Sequence, residues 1–197
     1  DQAPFSSEAM PTKLSQAMNQ LVADISANKA NSSQFQIISQ RVADSQNAAA
    51  NFRLGRLFYG IDQAKLAKKH LSLAKDFDLL RFRAPEAMNK IIRNQALSFG
   101  AQVVEAQQRF EQRSKHGVVG NNLMLEHLHP NVQGYFLLSD VFYQAITASE
   151  HFATVQNINT NLAWRQRGIL PSEEFFGFAK VAQLKSDYPF VETRTPL

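Results

Sequence analysis

Apolar residues recur along most of this chain at intervals of three and four, the spacing of one helix face. Leu14, Met18, Leu21, Val22 and Ile25 form the first such stripe, in a helix that Pro11-Thr12 opens and Asn31, Ser32 and Ser33 break. A second helix is expected from about Ser33, with Phe35, Ile38, Val42 and Ala49 on one side. The stretch from 51 to 78 predicts two further helices joined by a turn at Gly60-Ile61-Asp62, with small residues where the two must approach closely. Pro85 suits a helix first turn, and Met88, Ile91, Ile92 and Phe99 predict a buried stripe that ends at Gly100. One run breaks the helical period: "AQVVEA" after Gly100 is short, apolar and β-compatible, and it is the single strand expected.

The hairpin at 51–78 carries a finer pattern. Leu54, Gly55, Phe58, Ala67, Leu71 and Ala74 fall in the spacing of the tetratricopeptide repeat, which the segment resembles at these six positions. Asn51 stands where that motif prefers Trp, and Leu79 where it prefers Pro. A lone repeat does not bury its own faces, so the hairpin is expected to pack on the two N-terminal helices or on the segments C-terminal to it.

Composition narrows the function classes. The 197 residues are 44% hydrophobic, enough for a core. The formal charge of +4 is spread along the chain without a basic stripe or a recognised motif, so nucleic acid is not an expected partner. With no cysteine there are no disulfides, thiol nucleophiles or thiolate metal sites, and no apolar run reaches membrane-spanning length. The N-terminus "DQAPFSSEAMP" has neither an initiator Met nor a signal-peptide core, so the chain reads as a mature product or as a piece of something longer.

Candidate chemistry concentrates at "EHLHPNVQGY", residues 126–135. Pro130 ends whatever precedes it, Asn131 is a good N-cap, and a helix from about Val132 to Ala148 is expected to bury Tyr135, Leu138, Val141, Phe142 and Ile146. Glu126 and His129 then lie on the loop before a buried helix. Three residues apart in a turn, the carboxylate can reach the imidazole Nδ1–H, fix its tautomer and leave Nε2 as a base. His127 is read as structural. A zinc site from Glu126, His127 and His129 lacks a third strong ligand and is not expected.

In "GNNLMLEHLHPNVQGYFLLSDVFYQAI" the chain resembles the last block of the SGNH (GDSL-type) serine hydrolases, in which an Asp-x-x-His pair precedes Pro-Asn and a Gly that opens the final helix. "GAQVVEA" is similar to the last core strand of that α/β fold, and the stretch "DLLRFRAP" with the helix after it is similar to a bacterial group that places helical repeats before this block. The resemblance implies His129 as general base and Glu126 as the group that orients it. It also implies a serine block, and Gly and Asn oxyanion donors, from an N-terminal hydrolase half that is not in this sequence, so that the chain alone is inactive. Glu126 departs from the family Asp by one methylene. The resemblance further implies a bacterial cell-envelope or periplasmic setting and no cofactor.

The expected fold is therefore mainly α, with helical hairpins and one or few short strands from the end of an SGNH fold. Its parts are a helical region at 1–95, the strand, acid–histidine loop and final helix at 96–148, and a helical extension at 149–197. In the extension, Ser172 is expected to start a capped helix whose Phe175, Phe176 and Phe178 pack into a core. Arg81, Arg83, Asn89 and Arg93 offer an anion site, or solvated and interhelical roles. The alternative to a hydrolase fragment is a non-catalytic helical module that binds a protein partner, and the unpaired strand also makes a homo-oligomer an expected partner state.

Overall fold

In the computed structural model the described residues are 4, 7–149, 158–188 and 190–191 of the 197. Among them the chain is mainly helical: α1 (Thr12–Ser26), α2 (Ser32–Asp44), α3 (Ala48–Gly60), α4 (Ala64–Asp76), α5 (Glu86–Ser98), α6 (Ala106–Gln112), α7 (Val132–Thr147), α8 (Thr160–Arg165) and α9 (Pro171–Lys185), with a 3₁₀ turn at Lys115–Gly117. The β structure of these residues is one isolated bridge, between Met124 and Pro130. No described helix is long and apolar enough to cross a membrane. The chain divides into two compact units, Asp1–Gln95 with Lys115–Val118, and Ala96–Ser114 with Val119–Leu197. The parts of the expected C-terminal extension at 150–157, 189 and 192–197 lie outside the described residues.

In the first unit, short capped turns fold α1 to α4 back and forth. Asn31 closes a reciprocal cap on α2: its Oδ1 accepts the Gln34 N–H at 3.0 Å, and Gln34 Oε1 accepts the Asn31 N–H at 2.9 Å. α2 stops at Asp44, because Gln46 turns left-handed (φ 50°) and Asn47 caps α3 through the Ala50 N–H at 2.8 Å. Ala49 therefore belongs to α3 and not to the expected second helix. Leu14, Met18, Leu21, Ile38, Val42, Leu54, Phe58 and Ala67 bury their side chains in one core. Packing is closest between α3 and α4, where a Cβ on Gly55 would stand 2.7 Å from Leu71 Cγ and 3.0 Å from the Leu71 backbone nitrogen. Glycine is what lets the two backbones approach this far.

That approach brings together three buried polar side chains, Ser39, Asn51 and His70. Asn51 Nδ2 donates to the carbonyls of Val42 (3.2 Å) and Asn47 (3.0 Å), which turns its Oδ1 toward His70 Nδ1 at 2.8 Å. An amide oxygen only accepts, so Nδ1 carries the proton and Nε2 accepts from the Ser39 hydroxyl, also at 2.8 Å. Lys69 Nζ donates to the same hydroxyl oxygen at 3.2 Å. Each polar group in the set has a partner, the condition under which a buried network is tolerated. Burial, helped by the Lys69 charge, pushes the His70 imidazole down to about 4.

Two expectations about burial and one about a strand fail. α5 forms, and its start is held by Asp76 Oδ1, which accepts the Glu86 N–H at 3.0 Å, and by a Lys75–Glu86 ion pair at 2.5 Å. Yet Met88, Ile91, Ile92 and Phe99 are exposed, and α5 buries no residue. Likewise Phe175, Phe176 and Phe178 of α9 are exposed, and the helix begins at Pro171, one residue before Ser172, with Glu173 accepting the Leu170 N–H at 2.8 Å. Periodicity says which residues share a face, and it is silent on whether anything covers that face.

The expected strand at "AQVVEA" is absent. Gly100 (φ 63°) ends α5, the Ala101 N–H returns to the Ala96 carbonyl at 2.8 Å, and the chain is irregular until Ala106 opens α6. No described segment pairs with this run, and the helix that starts at its last residue buries Phe110. A strand needs ladder partners; one turn of helix satisfies its backbone locally.

The His70 network makes the first unit acid-sensitive. Between about 4 and the unfolded value of 6.5 the unfolded chain binds a proton that the folded chain refuses, so stability is complete above that window and falls as pH drops through it. The expected loss attributable to His70 is about 3 kcal/mol. Urea unfolding midpoints between pH 7 and 4.5 should fall more steeply for the wild type than for His70→Gln; parallel slopes would contradict this reading.

Candidate active site

The acid–histidine cluster sits on a closed loop. The Leu125 N–H donates to the His129 carbonyl at 2.8 Å and the Asn131 N–H to the Leu123 carbonyl at 2.9 Å, which joins the loop's two ends across the Met124–Pro130 bridge. Asn131 then caps α7 by accepting the Gly134 N–H at 2.9 Å, while its amide reaches the Asn121 carbonyl at 3.1 Å. Gly134 lies against the incoming segment: a Cβ there would stand 2.1 Å from the Leu123 carbonyl oxygen and 2.8 Å from Pro130 Cβ. Below it Phe110, Leu123 and Leu137 form a small core, flanked by Val119, Met124, Leu138 and Val141. Tyr135, Phe142 and Ile146, expected to be buried, share one face and are about half exposed; Leu137, on the opposite face, is the buried apolar side chain of α7.

Glu126 points inward from this loop, and its side chain has no solvent exposure. Its Oε2 accepts the Leu128 N–H at 2.8 Å, and Oε1 accepts the His129 N–H at 2.9 Å and the His129 Nδ1–H. His127 makes an ionic contact from the other side, its Nδ1 lying 2.5 Å from Oε2, and its ring lies 5.1 Å from that of Phe190. Burial alone would raise the Glu126 pKa, but the Leu128 N–H, the His129 imidazole and N–H, and the His127 charge outweigh it and hold the carboxyl below its ordinary value. The group is a buried carboxylate with donors around both oxygens.

His129 is the outward half of the pair, its side chain 54% exposed. A carboxylate only accepts, so the contact fixes the proton on Nδ1 and leaves Nε2 with a lone pair. The structure thus brings Glu126 and His129 together in the geometry that lets an imidazole act as a base. No serine hydroxyl among the described residues bonds to His129. The same loop also brings His127, read from the sequence as structural, against the Glu126 carboxylate, its side chain largely buried. No group of three metal-ligating side chains is arranged to hold an ion among the described residues. His129 commits its Nδ1 to a hydrogen bond with Glu126, and His127 Nδ1 lies against the other carboxylate oxygen.

Arg83, one of the residues offered as an anion site, is paired within its own segment. Arg83 turns to the buried Asp78 at 3.3 Å, with Asp78 also accepting the Leu80 N–H at 3.2 Å. Arg81 is exposed.

Compared with known protein families, with curated proteins and with solved structures, the chain has no match.

Glu126→Gln should remove the charge that selects the His129 tautomer. Nitrogen-15 imidazole spectra are expected to show protonated Nδ1 in the wild type and a shift toward the Nε2–H form in the variant. Gly134→Ala should destabilise the second unit by roughly 3 kcal/mol, since backbone and not a flexible side chain blocks the new methyl; hydrogen exchange of α7 and the 123–131 loop would detect it, and an unchanged exchange pattern would contradict the packing described.

Proposed function

We propose that this chain supplies the acid–histidine pair of an SGNH-type serine esterase or acyl hydrolase. The observation that carries the reading is the Glu126–His129 pair, with Nδ1 on a buried carboxylate and the rest of the imidazole facing outward. In this reading His129 Nε2 takes the proton of a serine hydroxyl during attack on an acyl carbon and returns it to the leaving group, while Glu126 stabilises the imidazolium. The serine and the oxyanion donors come from an N-terminal hydrolase half of the same protein. Glu126 replaces the family Asp, and the loop that seats it draws both backbone N–H groups of 128 and 129 onto the longer side chain. The half-exposed apolar residues of α7, Tyr135, Phe142 and Ile146, are consistent with a surface that such a half would cover.

A second reading is a helical module that binds a protein partner. Its support is the 51–78 hairpin, where five of the six repeat-like positions, Leu54, Gly55, Phe58, Ala67 and Ala74, are buried at the α3–α4 crossing. Here the Glu126 loop is a structural clasp that seats α7, and the function resides in the first unit.

The two readings separate in one assay. The isolated 197 residues should show no turnover of a simple acyl ester above buffer. A longer form that carries an upstream Gly-Asp-Ser block should hydrolyse it, with kcat/KM falling by roughly a thousandfold or more in His129→Ala. Turnover by the isolated chain would contradict its expected inactivity, and a longer form without that block, or with activity indifferent to His129, would favour the helical module.

A further inference from the structure

A separate feature of the second unit belongs to neither reading. α9 is a helix of 15 residues that buries none of its side chains. Glu174, Gly177 and Val181, at i, i+3 and i+7, make up its half-buried line, the one turned to the rest of the chain. Beside that line runs another, Pro171, Phe175, Phe178 and Ala182, at i, i+4, i+7 and i+11, and it is exposed throughout. Phe175 is 69% exposed and Phe178 51%. Two phenylalanines in one row are an apolar surface that is unfavourable to leave in water.

The two ends of this row carry opposite charges. Glu174 borders it in the first turn and Lys185 in the last, at i and i+11, hence on the same side of the helix. Among the described residues neither side chain has an ion-pair partner. Glu173, by contrast, is committed to the Leu170 N–H at 2.8 Å.

This order has a direction. A second copy of α9 laid parallel sets Glu174 against Glu174 and Lys185 against Lys185, which is repulsive at both ends. Laid antiparallel, with Phe178 on Ala182 of the other copy, it sets Phe175 on the aliphatic stem of Lys185 and brings that ammonium to Glu174. The same contacts recur across the twofold axis, because the row is complementary to itself. A different partner needs the reverse charge order along its own apolar row; a second copy has it by construction.

We propose that the exposed face of α9 is a homodimer interface, in which two copies of this chain pair these helices antiparallel about a twofold axis. The helix is about 22 Å long, so the contact is at the small end of specific interfaces and the dimer is weak and reversible.

Sedimentation velocity of the full chain from about 5 to 500 μM at low salt tests this, with half-conversion to dimer expected at roughly 10–100 μM. Phe178→Asp should leave the chain monomeric over that range, with an unchanged circular dichroism spectrum, since the side chain is exposed. Glu174→Lys and Lys185→Glu should each weaken dimerisation by roughly fivefold or more, because each reversal turns two attractions into two repulsions. The two reversals together should restore it. A spin label on Ser172→Cys, in a chain with no other cysteine, should report a partner about 24 Å away for antiparallel helices, against about 10 Å for parallel ones. A chain that stays monomeric across the range, a Phe178→Asp variant that still dimerises, a double reversal no better than the single ones, or the short label distance would each overturn the proposal. If the chain stays monomeric and Phe178→Asp impairs only a longer form that carries the hydrolase half, the face belongs to that half instead.

Discussion

The first unit depends on one close approach, that of α3 to α4 at Gly55. With no side chain there, Leu71 packs against the α3 backbone, and Asn51, one turn before Gly55, and His70, next to Leu71, come within 2.8 Å of each other. Their hydrogen bonds are specific in direction. Asn51 spends its amide on the Val42 and Asn47 carbonyls and so offers only oxygen to His70. His70 in turn accepts from Ser39 of α2. Three helices are thus registered by a chain of donors that works in one arrangement. An apolar core of leucines would tolerate sliding; this one does not, because any slip strands a buried polar group at a cost of about 1–3 kcal/mol. The departure of Asn51 from the residue a tetratricopeptide repeat prefers has a physical counterpart here: the position serves hydrogen bonding instead of aromatic packing.

The second unit repeats the principle on a smaller scale. A buried carboxylate, Glu126, is made tolerable by two backbone N–H groups and two imidazoles, and in being satisfied it sets the shape of the loop that carries it. Gly134 then allows the first turn of α7 to sit on the Leu123 carbonyl. The proposed base, the cap of α7 and the small core under it are therefore one construction. A change that frees Glu126 from its donors alters the position of His129 as well as its protonation, so its effects on chemistry and on local structure belong together.

The apolar residues divide unevenly between these constructions. Leu14, Met18, Leu21, Ile38, Val42, Leu54 and Phe58 are buried where periodicity placed them. Met88, Ile91 and Ile92 of α5, Phe99 just beyond its end, and Phe175, Phe176 and Phe178 of α9 have the same periodicity and are exposed. The difference lies in the neighbours: α1 to α4 follow one another through turns of a few residues, which forces adjacent helices together, while α5 leads into the irregular 101–105 segment.

What was legible in the sequence was local. Helix stripes, the break at Asn31, the Asn131 cap, the Gly60–Asp62 turn and the spacing of Glu126 from His129 follow from intervals of two to four residues, over which backbone geometry leaves few options. The apparent strand at "AQVVEA" misled because β structure is a property of pairs, and one run carries no information about its partner. The same limit applied to Ser39, Asn51 and His70, whose ends are 31 residues apart in the chain and which signal nothing individually. By itself the sequence determined that α1 to α5, α7 and α9 are helical, and that an acid and a histidine share one loop. The tertiary structure alone decided which faces are covered and which polar groups meet in the core, since burial and long-range hydrogen bonds depend on distances in space that no interval along the chain encodes.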